Sequence, residues 1–268
     1  MNRLIEKCIE LTKQPNELEL HFAELKKLTP KPTQLKQRNV ICYGAGTDST
    51  IAAYLTEDPL LLWCNYGQEY AHKEEKVCEH MVKQGFDLIK LKINTIVPQG
   101  YIFPARNLLL SAYATLYGNN ITIAGTWRGE GAQSANDKCP YFYENVSRLF
   151  TRFYQDKVTV DSPFSNDTRT DTFRKLIKLK GINIATKIIQ KTSTCYSPKH
   201  NFCGECNSCY KRYIAEKLVG IEQKYKINPF ETDYFWDKAI YKELSYGEKR
   251  YKELFQALQA EILDRHLY

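Results

Sequence analysis

The sequence has no apolar run near the roughly 18–20 residues needed to cross a bilayer, no internal repeat and no low-complexity tract. A membrane-spanning chain and a disordered polymer are therefore set aside. The opening stretch MNRLIEKCIELTKQ carries too much charge for the core of a signal peptide, so a cytoplasmic location, away from any membrane, is expected. What is present supports a folded chain: 268 residues, 43% hydrophobic and 26% charged, enough for one large domain or one domain with an appendage. The net charge of +7 modestly favours anionic partners: nucleotides, nucleic acid or an acidic protein. In a reducing compartment the nine cysteines read as core thiols, metal ligands or redox groups before they read as disulfides.

Residues 1–37 read as two amphipathic helices, broken at Pro15 and stopped by Pro30 and Pro32. The body begins with the apolar run 39–43, followed by Gly44-Ala45-Gly46 and a helical stretch from Asp48 to about Leu55. Strand-like runs at 60–64, 87–92 and 120–124 then alternate with helical stretches at 69–84 and 105–117. That alternation predicts an α/β fold, a doubly wound parallel sheet over about 38–165, with its ligand crevice beyond the carboxyl ends of the strands. A basic helix at 173–181, a cysteine cluster and a tyrosine-rich helical region over about 210–268 follow. The aromatics Phe230, Tyr234, Phe235, Trp236, Tyr241 and Tyr246 either dock on the core or form the interface of a homodimer.

In Tyr43-Gly44-Ala45-Gly46-Thr47-Asp48-Ser49-Thr50, small residues let backbone N–H groups approach an anion at a helix N-terminus. No Walker Lys-Ser/Thr follows, and the third glycine of a dinucleotide fingerprint is missing. A phosphate cradle and an ordinary turn in which Asp48 or Ser49 caps a helix both remain open. The spacing Cys195-x7-Cys203-x2-Cys206-x2-Cys209 offers the four thiolates of a closed tetrahedral zinc site, with Gly204 easing the turn. Unligated thiols, a redox pair, or His200 replacing one cysteine are the alternatives. Cys8, Cys42, Cys64, Cys78 and Cys139 read as small buried side chains.

The glycine stretch resembles the Ser-Gly-Gly-x-Asp-Ser signature of the PP-loop, N-type ATP pyrophosphatases, with Gly44 in place of the serine and Ala45 in place of the first glycine. Together with the cysteine knuckle it resembles the 7-cyano-7-deazaguanine synthase (QueC) family. Tyr66-Gly67-Gln68, Phe103-Pro104-Ala105-Arg106-Asn107, Gly125, Asp137-Lys138-Cys139, Ser162-Pro163-Phe164 and Thr168-Arg169 fall in that family's order. The likeness covers about 38–230. Glu69-Tyr70 stand where the family has Arg-His, and Gly129 to Asn136 lack its tyrosine-rich segment, which leaves the substrate and the second half-reaction open.

The resemblance implies an adenine nucleotide α-hydrolase type core with a C-terminal helical zinc-binding region. Its layout is a 1–37 extension, a 38–165 ATP-binding core, a 166–230 helical region with the knuckle, and a 231–268 extension. It implies ATP, Mg²⁺, ammonia and a deazapurine carboxylate as ligands. Tyr43 to Thr50 would bind nucleotide, with Asp48 placing Mg²⁺ or ordering the loop; Gln68, Arg106 and Asn107 would bind substrate. Arg106 and Arg169 would balance charge, and Asp137 would contact the base or ammonia. Arg106 also has a physical argument, because a cation in the first turn of a helix faces the unfavourable end of its dipole and calls for an anion; a surface arginine paired with a carboxylate is the alternative. Rival readings are a ligase that stops at the amide or passes the acyl group to a protein amine, and a catalytically silent relative. A further rival is a nucleic-acid-binding zinc protein using Lys175, Lys178, Lys180, Lys211 and Arg212.

Overall fold

Strands with no polar face form where both sides of a sheet are covered, and 39–43 and 60–65 are of that kind. In the computed structural model, which describes residues 35–93, 105–126, 136–241 and 247–266, five parallel strands form one sheet. They are β1 (Asn39–Tyr43), β2 (Leu60–Asn65), β3 (Asp87–Lys92), β4 (Asn120–Thr122) and β5 (Thr159–Asp161), in the order β3-β2-β1-β4-β5. Val40 pairs with Leu60 on one side and with Ile121 on the other, so β1 is central and the winding reverses between β1 and β4. A crevice opens at such a reversal because the flanking connections leave in opposite directions.

Helices α1 (Thr47–Leu55), α2 (Ala71–Lys83), α3 (Arg106–Ala114), α4 (Pro140–Tyr154), α5 (Arg169–Lys180) and α6 (Ile182–Gln190) cover the sheet. The period-two alternation of β1 divides the core. Ile41 and Tyr43 join Ile51, Met81, Phe173, Leu176 and Ile189 on one face, while Val40 and Cys42 join Ala114, Tyr143, Val146 and Phe150 on the other. The sheet is thus sandwiched as expected, and α5 and α6, from beyond 165, are part of its cover. Leu35–Tyr268 forms one compact unit.

Past the sheet, α7 (Asn207–Val219) packs on α8 (Glu248–His266), with Tyr210, Ile214, Phe230, Phe235, Leu254 and Ala257 between them. Phe230 and Phe235 are therefore docked on the body, and Tyr234 stacks near Tyr210; Trp236 and Tyr241 lie largely exposed. Cys42, Cys64 and Cys78 are buried, and Cys139 caps α4 by accepting from Phe142 N at 3.4 Å. The expected helices of 1–34, together with Cys8, Phe103-Pro104, the 129–135 stretch and Tyr246, lie outside the described residues.

Candidate functional site

A cavity of about 300 Å³ opens at the reversal between β1 and β4, walled by the ends of both strands. The glycine stretch forms one wall. Ala45 adopts φ +54°, the left-handed region in which a side chain costs about 1–2 kcal/mol, which is why a glycine suits that position. The Gly44 site leaves open space where a side chain would stand. Gly46 caps α1 and offers no side-chain hydrogen bond, so the first-turn N–H groups are left for another acceptor. Neither Asp48 nor Ser49 is the cap. The Ser49 hydroxyl bridges the turn, accepting from Gly44 N and donating to Gly46 O, both at 3.3 Å. The Ala45 carbonyl accepts from Ser193 N at 2.8 Å, tying the turn to the segment leading into the knuckle.

Asp48 is held by Arg169 through two bonds, Nε to Oδ1 at 3.3 Å and Nη2 to Oδ2 at 3.0 Å. Arg169 is placed by a capping box at the start of α5, where Thr168 Oγ1 accepts from Asp171 N and Asp171 accepts from Thr168 N. Tyr43, Gly44, Gly46, Thr47, Asp48 and Ser49 reach the cavity, as do Gln68, Arg106, Asn107 and Arg169. Ala45 and Thr50 do not: Ala45 is fully buried, and the Thr50 hydroxyl lies 2.9 Å from the Tyr43 hydroxyl inside the core. The Asp137 carboxylate is not on the wall either; its backbone oxygen accepts from Asn107 Nδ2 at 3.0 Å, and Lys138 lines the cavity beside it. Gly125 sits where a Cβ would meet the Tyr143 hydroxyl at 3.1 Å, and Ser162 Oγ both accepts from its N–H and donates to its carbonyl.

The opposite wall is built from β2 and α2. Glu74 is buried, with its Oε2 accepting from Trp63 Nε1 at 2.9 Å and from Gln68 Nε2 at 2.7 Å. Burial raises its carboxyl above the ordinary glutamate value, against the two donors and the nearby Arg106 and Lys73. Arg106, the first residue of α3, hydrogen-bonds Tyr66, and no ion pair joins it to a carboxylate among the described residues. Tyr70 and Tyr196 stand against each other, ring centres 5.6 Å apart, on the same wall.

The four cysteine sulfurs lie within 4.8 Å of one another, and Cys203 and Cys209 are 3.8 Å apart. A tetrahedral ion with sulfur ligands at about 2.3 Å has edges of about 3.8 Å, so this set fits a single metal ion. His200 is not in the cluster. Burial, then the adjacent Cys206, pushes the Cys203 thiol up to about 12; four thiolates this close need a cation among them. A Cβ on Gly204, at φ +88°, would stand 1.9 Å from the Ile227 carbonyl, so only glycine fits that turn. Lys73 Nζ, itself buried, donates to the carbonyls of Cys195, Ser197 and His200 at 2.5–2.9 Å and fastens the knuckle to α2. The knuckle in turn supplies cavity wall through Thr194, Cys195, Tyr196, Asn207, Ser208 and Lys211.

Two expectations need correction here. Arg212 is not surface charge: it is fully buried, paired with Glu216 at 2.7 Å, and donates to Thr192 and Ile189 carbonyls beneath the knuckle. Lys211 is buried on the cavity wall. The basic face of a nucleic-acid-binding reading thus loses two of its five members. Glu74 and Lys73 were missed. Their signal was positional, since they continue the buried stripe Val77, Cys78, Met81 one turn toward the start of α2.

The model of the family described as queuosine biosynthesis protein QueC matches residues 89–219. Curated relatives include a 7-cyano-7-deazaguanine synthase of Psychromonas ingrahamii, 23% identical over 70% of this chain and 96% of its own. The synthase of Clostridium kluyveri is 25% identical over 71% of this chain and 98% of its own, and 7-cyano-7-deazaguanine synthase 2 of Colwellia psychrerythraea is 26% identical over 68% and 95%. With the parallel sheet and the four-cysteine cluster beside these matches, the chain is similar to the QueC family.

Proposed function

We propose that this chain is an ATP-dependent carbon–nitrogen ligase that adenylates a 7-carboxy-7-deazaguanine-type carboxylate, after which ammonia carries the acyl-adenylate through the amide to 7-cyano-7-deazaguanine. The observation behind it is one cavity in which an open helix N-terminus and Arg169 stand on one wall and Arg106, which pairs with no carboxylate among the described residues, on another. A carboxylate resists ammonia until its oxygen is made a leaving group. One oxygen attacks the α-phosphorus of ATP and pyrophosphate departs; ammonia adds to the acyl carbon and AMP leaves with that oxygen. A second adenylation on the amide oxygen, with loss of AMP and of both amide protons, yields the nitrile.

In this reading the N–H groups from Gly44 to Ser49 and the hydroxyls of Thr47 and Ser49 hold phosphate oxygens. The Arg169 bonds favour the loop-ordering role for Asp48, with Mg²⁺ accompanying ATP; Tyr43 and Thr50 brace the strand end behind the turn. Arg106 receives the acid, and Gln68 and Asn107 position its ring. Asp137 acts through its backbone, by fixing Asn107. Rate comes from positioning and charge stabilisation. A zinc ion on Cys195, Cys203, Cys206 and Cys209 would close the knuckle and hold its share of the wall. The division into extension 1–37, core 38–165, knuckle-bearing region 166–230 and extension 231–268 belongs to the same proposal.

Tyr70, on the wall where the family has histidine, favours a second reading in which the later half differs: the reaction stops at the amide, or a protein amine takes the acyl group. The pure protein with ATP, Mg²⁺, ammonium and 7-carboxy-7-deazaguanine should give the nitrile with two AMP per product by mass spectrometry. AMP with the amide or a mass-shifted protein selects the second reading. No AMP at all overturns both.

A further inference from the structure

Among the described charged groups on the cavity wall, Glu74 has one carboxylate oxygen bonded twice and the other not at all. Its Oε2 accepts two hydrogen bonds, from Trp63 and Gln68, and these lock the plane of the carboxylate. Its Oε1 accepts none among the described residues, although the side chain is only 7% exposed and faces the cavity. The two nearest cations are committed elsewhere: Lys73 to three knuckle carbonyls, Arg106 to the Tyr66 hydroxyl. A carboxylate oxygen on a cavity wall, held in plane by its bonded twin, exchanges water for whatever fills the cavity, and a ligand that displaces that water must supply a donor or leave the oxygen unsatisfied. The surroundings restrict that ligand. Tyr66, Tyr70 and Tyr196 present aromatic surface suited to a flat ring, and Arg106 leaves the neighbourhood unfavourable for a cation.

We propose that Glu74 is the specificity-determining residue for the heterocycle, its Oε1 accepting an N–H from the amino-pyrimidinone edge of a guanine-type ring while Arg106 faces the acidic end. This rests on the adenylation reading for the identity of the acid, and it extends that reading by naming what selects the ring. The 6-amino group of the nucleotide's adenine offers the same donor chemistry, so the test must separate the two.

Glu74→Gln keeps an oxygen for Trp63 and Gln68 and turns an amide N–H₂ toward the ligand, reversing the polarity of the contact. Calorimetric titration should show this variant binding 7-carboxy-7-deazaguanine about ten- to a hundredfold more weakly than the unaltered chain, with ATP affinity changed less than about twofold. Guanine, which carries the same edge without the acid, should weaken in parallel. Hypoxanthine, which lacks the amino group, should bind the unaltered chain more weakly than guanine, a comparison that needs no variant. Unchanged ring affinity in Glu74→Gln overturns the inference and leaves adenylation standing. Loss confined to ATP overturns it in favour of adenine. An unaltered chain that binds guanine in a Glu74-dependent way but makes no AMP preserves the inference and removes the adenylation reading. One that binds neither guanine nor the acid overturns the inference.

Discussion

The glycine turn and the cysteine knuckle both line one cavity and have diverged in opposite ways. The turn departs from the family signature at two positions, while the knuckle keeps all four cysteines and Gly204. Their chemistry accounts for the difference. The turn would work through main-chain N–H groups, so Gly44 can replace a serine freely, and Ala45 costs only the strain of φ +54°. The knuckle works through side-chain sulfurs packed within 4.8 Å and a turn with no room for one extra carbon. Sites made of backbone tolerate substitution; sites made of side chains do not.

The contrast is broken hardest by removing one sulfur. Cys209→Ser should lose the bound metal, by elemental analysis, and lower the melting temperature by more than any change in the turn, because structural zinc supplies about 10–16 kcal/mol of apparent binding energy in small zinc modules. A variant that keeps one metal per chain would contradict the ligand set. Next comes Arg169→Met, which leaves Asp48 unpaired at 17% side-chain exposure. Pyrophosphate release should fall about 10²-fold, the usual effect of deleting one preorganised charge contact, with metal content unchanged. Loss of metal as well would mean that turn and knuckle are not separable.

Smaller effects sharpen the comparison. Burial raises the Glu74 carboxyl, so a proton binds it more tightly in the folded than in the unfolded chain. Its ionisation therefore costs stability at neutral pH, and that cost is relieved as pH falls through the raised value. Glu74→Gln should melt no lower than the unaltered chain at pH 7.5, and any advantage should shrink on acidification. An advantage that grew on acidification would contradict the assignment. Smallest of all, Ala45→Gly should stabilise by about 0–1 kcal/mol, strain relief offset by the added freedom of the unfolded chain. A clear loss would mean that the turn needs the methyl group.

The sheet was legible where strands are long and apolar throughout: β1 and β2 could be read from 39–43 and 60–64. It was not legible at β5, whose three residues are too few to show a period, and the strand order depends on pairings such as Asn39 with Asn120 that no local pattern records. Helix α4 was overlooked although Tyr143, Val146 and Phe150 repeat at helical spacing. Within the site, the turn, Arg106 and the four cysteines announce themselves by residue type and spacing. Glu74, Lys73, Lys211 and Arg212 do not, because a charged residue on a helix reads as solvated until a partner distant in sequence is known. For Lys73 the partners are three carbonyls more than 120 residues away, and for Arg212 they include Thr192.

The claim on which the functional account turns is that an oxygen of the acid becomes an oxygen of AMP. Supplying 7-carboxy-7-deazaguanine with both carboxylate oxygens as ¹⁸O, together with ATP and ammonium, and weighing the AMP tests it directly. The account predicts one ¹⁸O in every AMP formed, in the amide-forming and nitrile-forming steps alike. AMP without label, or label released into water while product accumulates, would contradict it.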